Sequence, residues 1–180
     1  MARAASRKGW GSGAAGMPDE VGAPGTPLPA PAPMPLEKYT VTKRGVTYLS
    51  DLYYIWKNNN GPVSDQNFAG DAIAINGVKY AKGLGCLGAT EAMYKLNQKA
   101  SRFQAVVGLD DAYAGQGRGR FRVLNEDFFG NKVLFDSGFM VKGDPAKKVD
   151  LEVKNVNCLL LVFEGQNVLG DWAEAQALAE

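Results

Sequence analysis

Ala72-Ile73-Ala74-Ile75-Asn76-Gly77-Val78-Lys79-Tyr80 is the stretch that decides the fold. Two short runs rich in β-formers flank an Asn-Gly pair. A two-residue hairpin loop needs positive φ at both central positions, and Asn and Gly are the residues that tolerate it best. The stretch therefore predicts a tight antiparallel hairpin.

Working outward, the same period of two recurs. Phe103, Ala105, Val107 and Leu109 share one strand face. Arg120, Phe121, Arg122 and Val123 alternate, with Phe121 and Val123 predicted to point inward. Lys132 to Phe135 reads as a short strand led by the turn Phe129-Gly130-Asn131. Val149, Leu151 and Val153 face one way while Lys148, Asp150, Glu152 and Lys154 face the other. Leu159 to Phe163 is a continuous apolar run, as expected of a strand covered on both sides. Helical signals are weak: Ala89 to Leu96 suits a strand as well as a helical turn, and the good helix formers of Ala173 to Ala179 make a short stretch. About eight or nine strands at regular spacing, with no alternating helices, predict an all-β antiparallel sandwich of the jelly-roll kind.

Composition narrows the chemistry. The 180 residues carry 20 Lys+Arg against 19 Asp+Glu, a balance that gives no reason to expect nucleic acid as the partner. The sequence has no histidine, which removes serine-histidine and cysteine-histidine catalysis in their usual form from this chain. Two cysteines, Cys86 and Cys158, are too few for a usual structural zinc site; sequence gives no distance between them, and two buried free thiols are the simpler reading, with a disulfide as the alternative. No apolar stretch approaches the length of a membrane span.

Residues 1–36 read as a Gly/Ala/Pro-rich leader and linker that favours extended, semi-rigid chain, and residues 37–180 as the domain. Trp10, in the leader, reads as incidental. Arg3, Arg7 and Lys8 supply positive charge, but no apolar region follows as a signal peptide requires.

A sugar is recognised by planar donors and acceptors around its hydroxyls and by an aromatic ring under its C–H face. Tyr53, Tyr54 and Trp56 precede the polar run Lys57-Asn58-Asn59-Asn60, and Asp171-Trp172 forms a second such pair. Tyr53, Trp56, Asn58, Asn60, Asp171 and Trp172 are thus candidate ligand residues. The other readings are a turn for the Asn run and a core tryptophan for Trp172. Gly83 and Gly85 read as turn glycines. Asp110 and Asp111 open a flexible loop, and adjacent carboxylates there suit an oxygen-liganded calcium ion; alternatively one caps the turn and the other pairs with Arg118 or Arg120. As neighbours on one loop they do not suit glycosidase acid and nucleophile.

Taken in order, the motifs carry more than fold class. Tyr48-Leu49-Ser50-Asp51-Leu52, Asn60-Gly61-Pro62-Val63 with Asp65, the run from Ile75 to Gly85 ending in Gly-Leu-Gly, Tyr94-Lys95-Leu96, Phe103, Val107-Gly108-Leu109-Asp110-Asp111, Phe121-Arg122-Val123, Leu134-Phe135-Asp136-Ser137-Gly138 and Asp171-Trp172-Ala173 resemble the NPCBM family. That family is similar to family 51 of the carbohydrate-binding modules. The resemblance spans residues 45 to 176. It implies a sandwich related to galactose-binding domains, a galactose-containing glycan as ligand, structural calcium, an extracellular or cell-surface setting and a tethered or associated enzyme. After Gly-Leu-Gly the family usually carries a small apolar residue, His and a small residue; here these are Cys86, Leu87 and Gly88. Leu87, a further candidate ligand position, cannot hydrogen-bond through its side chain. The expected function is a non-catalytic carbohydrate-binding module. The alternative is a sandwich that has lost sugar binding and serves as a protein-interaction or scaffold module.

Overall fold

The computed structural model describes residues 32–33, 35–58, 61–127 and 130–180. The leader 1–36 and Trp10 therefore lie mostly or wholly outside the described residues, as do Asn60 and Phe129. The sandwich lies within the compact unit Met34–Glu180.

Among the described residues thirteen strands run in chain order: β1 (Gly45–Tyr48), β2 (Trp56–Lys57), β3 (Val63–Ser64), β4 (Ile73–Ile75), β5 (Val78–Tyr80), β6 (Gly83–Leu87), β7 (Thr90–Lys95), β8 (Arg102–Leu109), β9 (Arg118–Asp127), β10 (Gly130–Val141), β11 (Lys147–Glu152), β12 (Cys158–Gly165) and β13 (Leu169–Ala179). The count exceeds the eight or nine expected because β1, β2 and β3 are only two to four residues long, too short for a periodic pattern, and β6 holds the glycines expected in a turn. No α-helix occurs among the described residues; both weak helical candidates are strands, β7 and the end of β13.

One sheet has the order β11-β8-β13-β6-β3, with β1 added along the far half of β13. The other has the order β10-β9-β12-β7-β2, and every ladder in both is antiparallel. β4 and β5 form the separate hairpin, with Asn76 at φ 48° and Gly77 at φ 82° as its loop requires. β13 serves two partners on one side because a bulge between Ala173 and Gln176 breaks its register. Glu174, at φ 51°, sits in that bulge and donates its N–H to the carbonyl of Lys82.

The core lies between the sheets. Trp172 of one sheet meets Phe121 of the other edge-on at 5.1 Å, and Phe121 packs on Phe163 at 4.7 Å. Gly119 and Gly170 make room: a Cβ at either would sit 2.5–2.6 Å from the Phe163 ring. Gly83 and Gly85 are strand residues rather than a turn. A Cβ on Gly85 would lie 2.4 Å from the carbonyl oxygen of Gln66, and one on Gly83 2.6 Å from that of Trp172. At Gly85 the small size is demanded by backbone packed over the sheet, and at Gly83 by the close approach of β13 and by Ile73, not by a change of chain direction. The cysteines are free thiols, Cys86 buried and Cys158 half-buried.

Candidate functional site

The segment before β2 builds an open cleft. A 3-10 turn, Leu49–Asp51, is pinned to the core by the buried side chains of Leu49 and Leu52. With those two side chains inward, Tyr53 is left 52% exposed. Its N–H is held by the carbonyl of Lys38 at 2.6 Å, and its ring lies 5.4 Å from that of Tyr39. The resulting cavity of about 780 Å³ has tyrosine rings on its wall, with Lys38, Ser50, Asp51 and Ser64 as polar groups. Ser64 belongs to β3 and Tyr53 leads into β2, so the cleft lies where the edges of the two sheets approach.

The charge at this edge is organised by Lys82. Its Nζ donates to Asp51 and Asp65, both at 2.7 Å, and lies over the Tyr48 ring at 5.4 Å. Burial works against its charge, but the bonds to the two carboxylates outweigh that and raise its pKa. Asp65 is lowered for the converse reason: burial opposes its charge, and hydrogen bonds from Lys82, Ser50 and Gly83 override it. The Lys82 contact also positions the Asp51 side chain beside the tyrosines.

The structure scatters the residues expected to bind ligand. Trp56, 47% exposed, lies on the outward face of the β10-β9-β12-β7-β2 sheet, outside the cleft lining. Asn58 clasps β7: its N–H donates to the carbonyl of Glu91 and its Oδ1 accepts the N–H of Glu91. Leu87 ends β6 with 38% exposure, near neither the tyrosines nor Trp56 in the linings of these concavities.

Asp171 and Trp172 require correction: both are buried and neither can meet a ligand. Trp172 points between the sheets. Asp171 points the other way, but it lies between Gly85 and Gly108 on neighbouring strands. The Gln66–Asn67 backbone closes over Gly85, and Ile75 of the hairpin closes over Gly108. Two glycines let a lid of chain descend onto the carboxyl. Neither Asp171 oxygen has a hydrogen-bond partner among the described residues. Burial, and then the neighbouring Asp110 carboxyl, push its pKa up to about 10.

Asp110 and Asp111 tie this lid down. Asp110 accepts from Asn67 Nδ2 at 2.9 Å and from the N–H groups of Ala74 and Ala112. Asp111 accepts the N–H groups of Asn76 and Gly77, capping the hairpin loop. Arg120 pairs elsewhere, with Asp136. Both carboxylates are engaged by N–H donors, and no group of three or more His, Cys, Asp or Glu able to hold a metal occurs among the described residues.

Tyr39, Lys38, Ser64 and Lys82 were not singled out from sequence. The Tyr48-Leu49-Ser50-Asp51-Leu52 motif held one signal, since Asp51 is the polar residue of an otherwise core-anchored turn.

The two-sheet architecture is that of a carbohydrate-binding-module sandwich. The chain belongs to the NPCBM/NEW2 domain family, whose sequence model matches residues 45–177. It is similar to the CBM51 of a Clostridium perfringens GH95, solved in complex with methyl-galactose: 26% identity, 73% of this chain and 99% of that one, TM-score 0.65. It shares its fold with a structure of the M60 catalytic domain and two CBM51 domains of Clostridium perfringens ZmpB: 22% identity, 75% of this chain and 15% of that one, TM-score 0.67. A Renibacterium salmoninarum protein provisionally named an endo-alpha-N-acetylgalactosaminidase is 31% identical over 146 residues, 73% of this chain and 9% of its own length. The chain spans about a tenth of the length of the curated relatives it matches. Among the described residues, no helix is long and apolar enough to cross a membrane.

Proposed function

We propose that the domain is a non-catalytic carbohydrate-binding module that takes a galactose-type sugar in the edge cleft. One observation carries the site: an exposed tyrosine, Tyr53, packed on Tyr39 in a cleft whose lining includes Asp51, held by Lys82, and the polar residues Lys38 and Ser64. A sugar's C–H face and its hydroxyls need that combination. The likeness to a module solved with methyl-galactose supports the ligand class. The glycosidase name of the Renibacterium relative supports a role outside the cell, as an accessory that holds an associated enzyme or scaffold protein at its glycan.

A second reading, a sandwich that binds protein instead of sugar, draws on Leu87. An exposed leucine stands where the family usually has histidine.

A glycan array probed with the full chain, with calcium and with chelator, separates these readings. The calcium arm tests whether an ion contributes, which Asp110 and Asp111 alone do not suggest. Saturable binding of methyl galactoside, weakened about tenfold or more in Tyr53→Ala and Asp51→Ala, supports the cleft. A blank array from folded protein favours the protein-binding reading.

A further inference from the structure

The outward face of the β10-β9-β12-β7-β2 sheet carries three cross-strand rungs of different character. The middle rung is apolar throughout: Val133, Leu124, Leu160, Met93 and Trp56 stand side by side on the five strands. One neighbouring rung runs Asp136, Arg122, Val162 and Glu91. The other runs Asn131, Glu126, Cys158 and Lys95. At ordinary strand spacing the apolar rung is roughly 19 Å long. From Leu124 through Leu160 and Met93 to Trp56 it floors a groove of about 550 Å³ walled by Arg122, Glu91, Glu126 and Asn131, with Val133 outside the lining.

The sequence reading explains this floor only in part. Leu159 to Phe163 is apolar at every position because Leu159, Leu161 and Phe163 fill the core while Leu160 and Val162 are covered from outside. Trp56 and Val133 stay about half exposed, at the two edges of the sheet.

We infer that this groove is a second carbohydrate site, and that its ligand is a neutral, extended β-linked oligosaccharide lying across the strands. The inference rests on reading the domain as a carbohydrate binder, but not on the edge cleft or on galactose. Three features select the occupant. The floor is a narrow apolar strip longer than a single sugar ring, and Trp56 offers a ring face at its end. The walls mix donors and acceptors and carry charge of both signs, which suits hydroxyls better than a polyanion. Finally, Arg122 Nε and Glu126 Oε2 are shielded from water with no hydrogen-bond partner among the described residues. Small movements that bring them to a ligand hydroxyl make bonds that the protein alone does not.

The test is an amide and indole NMR titration of the full chain with cellotetraose and, separately, with chitotetraose. Neither probe contains galactose, so a failed galactose reading would not mask the result. Saturating shifts centred on Leu124, Leu160, Met93 and the Trp56 indole are expected, with binding about tenfold or more weaker in Trp56→Ala. Trp56 is exposed, so that variant folds; Arg122→Gln is the second variant and is expected to weaken the same probe. Silence at these residues with both probes, or shifts confined to Tyr39 and Tyr53, overturns the inference. So does a change at the groove that depends on protein concentration without sugar, which would make the occupant a second copy of the chain.

Discussion

The Asp171 carboxyl is buried beside that of Asp110, and the two are unequally served. Asp110 collects hydrogen bonds from Asn67, Ala74 and Ala112, whereas Asp171 has none among the described residues. The proton therefore belongs on Asp171, whose pKa rises from the ordinary 3.8 to about 10 through burial and then Asp110.

A pH dependence follows from the sign of that shift. The folded chain holds a proton that the unfolded chain releases above about pH 4, so this residue's contribution to stability falls as pH climbs from 3.8 toward 10. Thermal melts from pH 5 to 9 should show the midpoint falling, and Asp171→Asn should flatten that slope. An unchanged slope in the variant would mean that Asp171 is not the group responsible. The acid limb has the opposite sign: the Arg120 hydrogen bond holds Asp136 at about 2 despite some desolvation, so its contribution is lost only as pH falls below 3.8 through about 2.

Two tryptophans should behave oppositely. Trp172→Ala empties the centre of the sandwich and should cost about 3 to 5 kcal/mol in chemical denaturation. Trp56→Ala removes a ring that is already half in water and should change stability by no more than about 0.5 kcal/mol. Equal costs would contradict the assignment of one to the core and the other to the surface.

Gly85→Ala should be worse than its size suggests. The added methyl meets backbone atoms of Gln66 and Asn67 at 2.4–2.7 Å, which cannot rotate away. Loss of about 3 kcal/mol is expected from denaturant midpoints. Gly70→Ala adds no close contact but sits at φ 93°, so a loss there would report backbone strain alone.

The thiols should titrate unevenly. Burial pushes Cys86 far up and seals it, while Cys158 is half-buried with a smaller rise, again from burial first. A thiol reagent at mildly alkaline pH should label Cys158 slowly and Cys86 only after denaturant is added. Rapid labelling of both would contradict the packing around β6.

The sequence by itself determined the class of fold, its central hairpin and most of its long strands, because these depend on local rules. Asn76-Gly77 needs positive φ, and alternation such as Phe103, Ala105, Val107 puts one face inward whatever surrounds it. The ordered motifs likewise sufficed for the family. The imperfect alternation of Tyr53 and Trp56 predicts one ring in the core and one outside, whereas both are exposed. Tertiary structure alone decided what those residues meet. Tyr53 gains Tyr39 and Asp51 only because two sheet edges approach each other, and Trp56 gains Met93 as its cross-strand neighbour only through strand order. Asp171 read as a surface acid because its own strand puts it outward. It is buried because chain roughly a hundred residues earlier folds down over it, the Gln66–Asn67 backbone over Gly85 and Ile75 of the hairpin over Gly108, contacts that no local pattern encodes.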